Sequence, residues 1–337
     1  SSSYLFEKVM LVAYLIFVLA NDRHRFRLMI LVVAYSLGFE CAKQGWAQAI
    51  LNTGAQNNNV IPFLGDNNGV ALGTMMLIPL FAALAQTAKS KREVFIHRFF
   101  LIGVLMRGIT TYSRGGFISA GVLGLLTLAR SKHKVRALIG VAVLATVVST
   151  IMPQAFWDRM NTLNAPVEQQ DESAQGRIHF WEVAMLMAKA KPITGVGFNG
   201  YRPAYATYDT TPGQFGEDRS VHSVWFGLLA ELGYPGLLLF VLLLLSGIWG
   251  GRQVVVMAKR DPSKSELASY GQALSTSLIV FAAGGSFLPA QYTEMLWHFI
   301  GMTIALHAIA TDEPASGSVA GVEPRPSQPG KVMAHQA

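Results

Sequence analysis

Four side chains carry the types needed for anion binding and proton transfer: Arg107, Arg114, Arg177 and His222. Arg114 sits in the turn Ser113-Arg114-Gly115-Gly116. Glycines there would let a ligand approach the backbone, and a guanidinium offers a fork of donors that suits phosphate. Its competing reading is an interfacial arginine that snorkels and orients a helix. Arg177 follows Gly176 at the start of a predicted helix, Arg177 to Ala190, with Asp171 or Ser173 as cap. An arginine at a helix start adds its charge to free N–H groups; the competing reading is a salt bridge to Asp171 or Glu172. His222 opens another predicted helix, with Ser220 or Ser223 as cap. A positive helix end and nearby arginines lower an imidazole pKa, so a neutral His222 can serve as general base, against the reading of a structural interfacial histidine. Arg107 shares a helical face with Thr110, Thr111 and Arg114 but lies deeper, facing a cavity or a partner helix. Arg107, Ser113, Arg159 and Glu231 are secondary candidates.

Other chemistries find little support. His179 is the only other histidine of the long polar stretch, and the Asp and Glu positions show no ligand spacing, so no metal is expected. No glycine-rich nucleotide loop, Ser-His-Asp order or zinc motif occurs, so no cofactor is expected either. The lone cysteine, Cys41, excludes a disulfide framework. Phe198, Tyr201, Tyr205 and Tyr208 could stack on sugar rings or anchor the stretch at an interface.

The elements that position these residues read as membrane helices. The chain is 51% hydrophobic and 14% charged, well below the ~25% charged residues of soluble domains. Apolar runs of roughly 16–22 residues recur along it. The formal charge of +7 comes from Lys and Arg gathered in short loops, which fits positive-inside topology better than nucleic-acid binding. The fold class predicted is an all-α polytopic membrane bundle of about nine spans. Ser1-Ser2-Ser3 runs straight into an apolar helix, as in a fragment whose earlier spans are missing. Leu28 to about Ala42 is read as a span and Gly45 to Gly69 as a polar outer loop. Val224 to Gly250, as one helix, would be about 40 Å long against about 30 Å of hydrocarbon, and Gly233-Tyr234-Pro235-Gly236 offers a break. Glu231 then lies near the outer interface. The parts are residues 1–151 as a first transmembrane bundle, 152–222 as a periplasmic loop carrying the site, 223–310 as an interfacial helix and remaining spans, and 311–337 as a disordered cytoplasmic tail.

The ordered set Asp66-Asn67-Asn68, Tyr112 to Gly116, Met152-Pro153 with Trp157 to Met160, Ser173 to Arg177, Pro192 with Gly195 to Phe198, and His222-Ser223 with Glu231-Leu232-Gly233 and Gly236 resembles the O-antigen ligase and polymerase superfamily. Its nearest likeness is to the O-glycosylation ligase branch associated with exosortase A systems. The resemblance implies a metal-independent membrane glycosyltransferase of the bacterial inner membrane, with its active face periplasmic. It implies a glycan donor linked to undecaprenyl diphosphate and a hydroxyl acceptor on a glycan, lipid or protein, with membrane lipid around the protein and no nucleic acid. Carried over, Arg114 and Arg177 would bind the donor diphosphate and His222 would take the acceptor proton. The family has about a dozen spans, which would leave roughly three N-terminal ones absent. Ser223 stands where the family often has Asn. A polymerase is the nearest alternative; a transporter or flippase would instead predict charged groups at the bilayer midplane.

Overall fold

The computed structural model describes residues 2–53, 55–151, 154, 157 and 172–312. They form eleven α-helices: α1 (Ser2–Leu19), α2 (Arg23–Leu51), α3 (Asn67–Gln86), α4 (Lys91–Ile109), α5 (Arg114–Arg130), α6 (Lys134–Ile151), α7 (Glu172–Ala190), α8 (Tyr201–Tyr208), α9 (Val224–Arg260), α10 (Ser265–Gly284) and α11 (Glu294–Asp312). Among the described residues the only extended pairing is a single bridge between Ile61 and Gly65. The fold is an all-α membrane bundle.

Side-chain caps start four of these helices. Asp22, Asp66, Ser90 and Ser113 accept the amides of Arg25, Gly69, Glu93 and Gly116, satisfying N–H groups that a helix start leaves free. Two helices, α3 and α9, are long and apolar enough to cross a membrane by length and composition. The surface of others points the same way. Phe95 on α4, Leu125 on α5 and Ile139 on α6 are 70%, 68% and 57% exposed. Apolar side chains facing outward over several helices suit lipid rather than water.

Two boundaries differ from the sequence reading. Helix α2 continues to Leu51, so the outer loop begins at residue 52 rather than at Gly45. The polar run that resembles a loop is satisfied inside the bundle. Gln44 accepts from Arg107 at 3.0 Å, and Gln48 donates to the carbonyls of Asn52 and Ala55. Gly45 marks a close helix crossing, since a Cβ there would stand 1.8 Å from the Gly103 carbonyl oxygen of α4. Helix α7 starts at Glu172, so Arg177 lies beyond its first turn and away from the free N–H groups. The helix-start anion site expected at Arg177 is therefore not what this helix builds.

The chain after α7 forms a small second core. Phe180, Val183, Met187, Tyr201, Tyr205, Phe215 and Val221 pack together. Tyr201 and Tyr205 are 2% and 0% exposed, so they hold this layer together instead of stacking on sugars or anchoring at an interface. Phe198 packs against Phe6 of α1 and Tyr292, with centroids at 5.4 and 4.3 Å. Helix α9 is broken at Gly233, whose φ of +68° is left-handed, just before Pro235. The far end of the bundle is tied by Arg27, which reaches Glu93 at 2.9 Å and Glu266 at 3.1 Å. Of the disordered tail predicted over residues 311–337, Thr311 and Asp312 belong instead to the end of α11, and residues 313–337 lie outside the described residues.

Candidate active site

The starts of α3 and α5 form one wall of a cleft of about 430 Å³, and α7 with the segment before α9 forms the other. Arg114, Arg177 and His222 all line it. So does Arg219, which is absent from the sequence candidates.

Arg114 is the first residue of α5, and its neighbours fix its place. Ser113 caps the helix by accepting from the Gly116 amide, and its hydroxyl donates to Asn68 Oδ1 at 2.8 Å. Tyr112, just before, adopts a φ of +54°. The carbonyl of Thr111 accepts from Asn67 Nδ2 at 2.6 Å and from Gln56 Nε2 at 3.2 Å. Gly115 and Gly116 are both buried. A Cβ on Gly116 would stand 2.8 Å from Ala71 Cβ, and one on Gly115 would meet Phe287 Cβ at 3.5 Å. Gly116 thus serves the packing of α5 on α3, not the ligand approach expected of it.

His222 is held from both sides. Val221 is buried in the second core, and its carbonyl accepts from Trp181 Nε1 at 3.1 Å. Ser223 is the N-cap of α9 by backbone, without a side-chain capping bond. Between them His222 takes a φ of +50°. Non-glycine residues seldom adopt this conformation, and such strain gathers at functional sites. Burial holds the His222 pKa below its ordinary value; Arg177 and Arg219 add to that effect, while Asp66 opposes it. Nδ1 is buried with no hydrogen-bond partner among the described residues. A neutral imidazole on the lining of the cleft is suited to accept a proton from a bound hydroxyl.

Arg107 does not line the cleft. It is fully buried, and it donates to Gln44 Oε1 and to the carbonyls of Asn57 and Asn59 at 3.0, 3.2 and 2.7 Å. Its donors hold the outer loop. Glu231 is also buried and does not line the cleft; it accepts from the Tyr201 amide, Gln291 Nε2 and the Tyr292 hydroxyl. Arg159 lies outside the described residues, as do Asp171 and the Ser173 side chain.

Guanidiniums and a neutral imidazole sharing one cleft, with no carboxylate among its described lining residues, can hold a polyanion beside a base. Residues 99–241, which include every arginine named for the cleft and His222, match the family model described as O-antigen ligase. This region belongs to the O-antigen ligase/polymerase superfamily. Proteins of this superfamily are bacterial integral membrane proteins with glycosyltransferase-like ligase or polymerase activity on lipid-linked glycans. None of the curated proteins compared with the chain matches it. In this O-antigen ligase region, Arg219 leaves only a weak trace in the sequence. It sits three residues before His222, but in the run Glu217-Asp218-Arg219 it looks like an ordinary solvated charge.

Proposed function

We propose that the O-antigen ligase region transfers a glycan from undecaprenyl diphosphate to an acceptor hydroxyl on the periplasmic side of the bacterial inner membrane. The observation that carries this reading is the meeting of Arg114, Arg177 and His222 in one cleft. The guanidiniums of Arg114 and Arg177 bind the donor diphosphate and offset charge on the leaving group, a role that needs no metal. His222 takes the proton from the acceptor hydroxyl as its oxygen attacks the anomeric carbon. The bond from that carbon to the phosphate oxygen breaks, and the lipid diphosphate departs with the bonding electrons.

The test is transfer of a lipid-linked glycan in membranes holding the protein, with candidate acceptors supplied one at a time. A protein, lipid A-type or other non-donor acceptor becoming glycosylated identifies a ligase. Chain growth with only the lipid-linked glycan present identifies a polymerase. Absence of both, from protein shown to be folded in the membrane, overturns the reading.

A further inference from the structure

The cleft has one guanidinium more than the donor diphosphate requires. We propose that Arg219 contacts the leaving diphosphate and takes up the negative charge that appears on it as the glycosyl bond breaks. This rests on the reading of the cleft as a diphosphate site.

Arg219 lies in the segment between α8 and α9, and its placement is built rather than incidental. Phe215 is 8% exposed, with its ring stacked on His179 at 5.1 Å and edge-on to Phe180 at 5.8 Å. The segment is fastened at its start by His179 and Asp209, 2.7 Å apart. Near its end Arg202 pairs with Asp218. Arg219 Nε donates to the Phe215 carbonyl, so the guanidinium is tied to a residue pinned in the core. It lies across Gly216, where φ is +86° and a Cβ would stand 3.3 Å from Arg219 Nη2. So tethered, Arg219 lines the same cleft as Arg177 and His222.

The charges make the assignment specific. In the donor, each phosphate is esterified and carries one negative charge, which Arg114 and Arg177 match. On transfer, the acceptor oxygen bonds to the anomeric carbon, its proton passes to His222, and the old carbon–oxygen electrons stay on the terminal phosphate. That phosphate is left free at its end, joined only through the anhydride bond to the lipid-bearing phosphate, with a second ionisation near pH ~6, so a further charge develops. A third cation matches the products and the transition state better than the donor, and an interaction that strengthens along the reaction raises kcat rather than lowering KM.

The experiment compares two probes on the full chain in detergent or nanodiscs at about pH 7.5, above that second ionisation: farnesyl diphosphate, which has the free terminal phosphate, and its glucosyl diester, which does not. Arg219→Gln should weaken farnesyl diphosphate binding by roughly 10–100-fold, the range for a lost charge-assisted hydrogen bond. Diester binding should change by less than about threefold, as for a solvent-screened charge. Arg219→Lys should recover part of the difference, because the charge remains. In transfer assays Arg219→Gln should lower kcat with little change in donor KM. Equal weakening of both probes, or none in either, overturns the assignment of Arg219 while leaving the diphosphate site standing. Wild-type protein that binds neither probe overturns the diphosphate reading itself, and this proposal with it.

Discussion

The amide of Gly197 donates to the carbonyl of Glu231 at 3.0 Å, and beside it the Val196 amide donates to the carbonyl of Ala230 at 2.8 Å. These two bonds repair a broken helix. In an unbroken α9 the Ala230 carbonyl would accept from the Tyr234 amide and the Glu231 carbonyl from residue 235. Tyr234 instead donates to Pro192 at 2.9 Å, and Pro235 has no N–H to give. The segment from Pro192 to Gly197 supplies both missing donors and the missing acceptor, leaving none of these groups unpaired. The second core, and with it one wall of the cleft, is thereby fastened to α9.

This stitch predicts unequal costs for its glycines. A Cβ on Gly195 would stand 2.3 Å from the Glu231 carbonyl carbon, and one on Gly233 would stand 2.4 Å from the Pro192 oxygen. Both have positive φ, which costs a non-glycine residue about 1–2 kcal/mol before any clash is counted. Gly197 has φ +107° but open space around its Cβ position. Thermal unfolding in detergent should show Gly195→Ala and Gly233→Ala destabilised well beyond Gly197→Ala. Three equal losses would mean that close approach does not matter here.

The arginines of this region should separate by role. Arg114→Ala and Arg177→Ala are expected to abolish or strongly weaken transfer with protein still folded in the membrane, and lysine should rescue poorly where the contact is bidentate. Arg107→Met should instead lower the yield of folded protein. It leaves the carbonyls of Asn57 and Asn59 without this donor, at about 1–3 kcal/mol for each buried group left unsatisfied. Turnover normalised to folded protein distinguishes the two behaviours.

Glu231 belongs with Arg107 in this respect. Its carboxylate accepts from several donors, among them the Tyr292 hydroxyl at 2.8 Å and the amides of Tyr201 and Asn199. Glu231→Ala should cost stability while leaving turnover per folded molecule near normal, and Glu231→Gln should cost less, since one acceptor oxygen remains. A large fall in kcat for folded Glu231→Gln would instead assign Glu231 a part in the chemistry.

For His222 the pH dependence carries the test. Its pKa is lowered from 6.5, first by burial and then by Arg177. The neutral, base-competent form therefore persists below the ordinary range, and wild-type turnover should fall as pH drops through that lowered midpoint. His222→Gln should lose about 10²–10⁴-fold in turnover and lose this limb as well. In Arg177→Ala the imidazole should titrate at higher pH, which histidine NMR can follow without any transfer assay. Near-normal turnover in His222→Gln would leave His222 as a helix-end residue.

Part of the site is legible in the sequence and part is not, for physical reasons. Basic loops alternating with apolar runs order the helix ends, so Arg114, Arg177 and His222 can be assigned to one side from the chain alone. Arg219 cannot, because its position depends on Phe215 entering a core made by α7 and α8, a tertiary fact. The end of α2 is hidden because Gln44 and Gln48 resemble loop residues until their partners are known. Gly116 resembles room for a ligand, whereas it belongs to the contact with Ala71. The start of α7 is obscured because Gln175-Gly176 resembles a helix entry, whereas Gly176 lies inside the helix, buried against Phe180 and Phe215.

Cys41 is fully buried where α2 packs in the bundle, and its thiol donates to the Leu37 carbonyl. A chain whose sole thiol is sealed in this way already offers a dark background for spectroscopy. Single cysteines placed at exposed Gln214 or Glu217 can carry a fluorophore or spin label with no prior removal of native cysteine. Paired with a label on exposed Asn58, they would report in real time how far the two banks of the cleft separate.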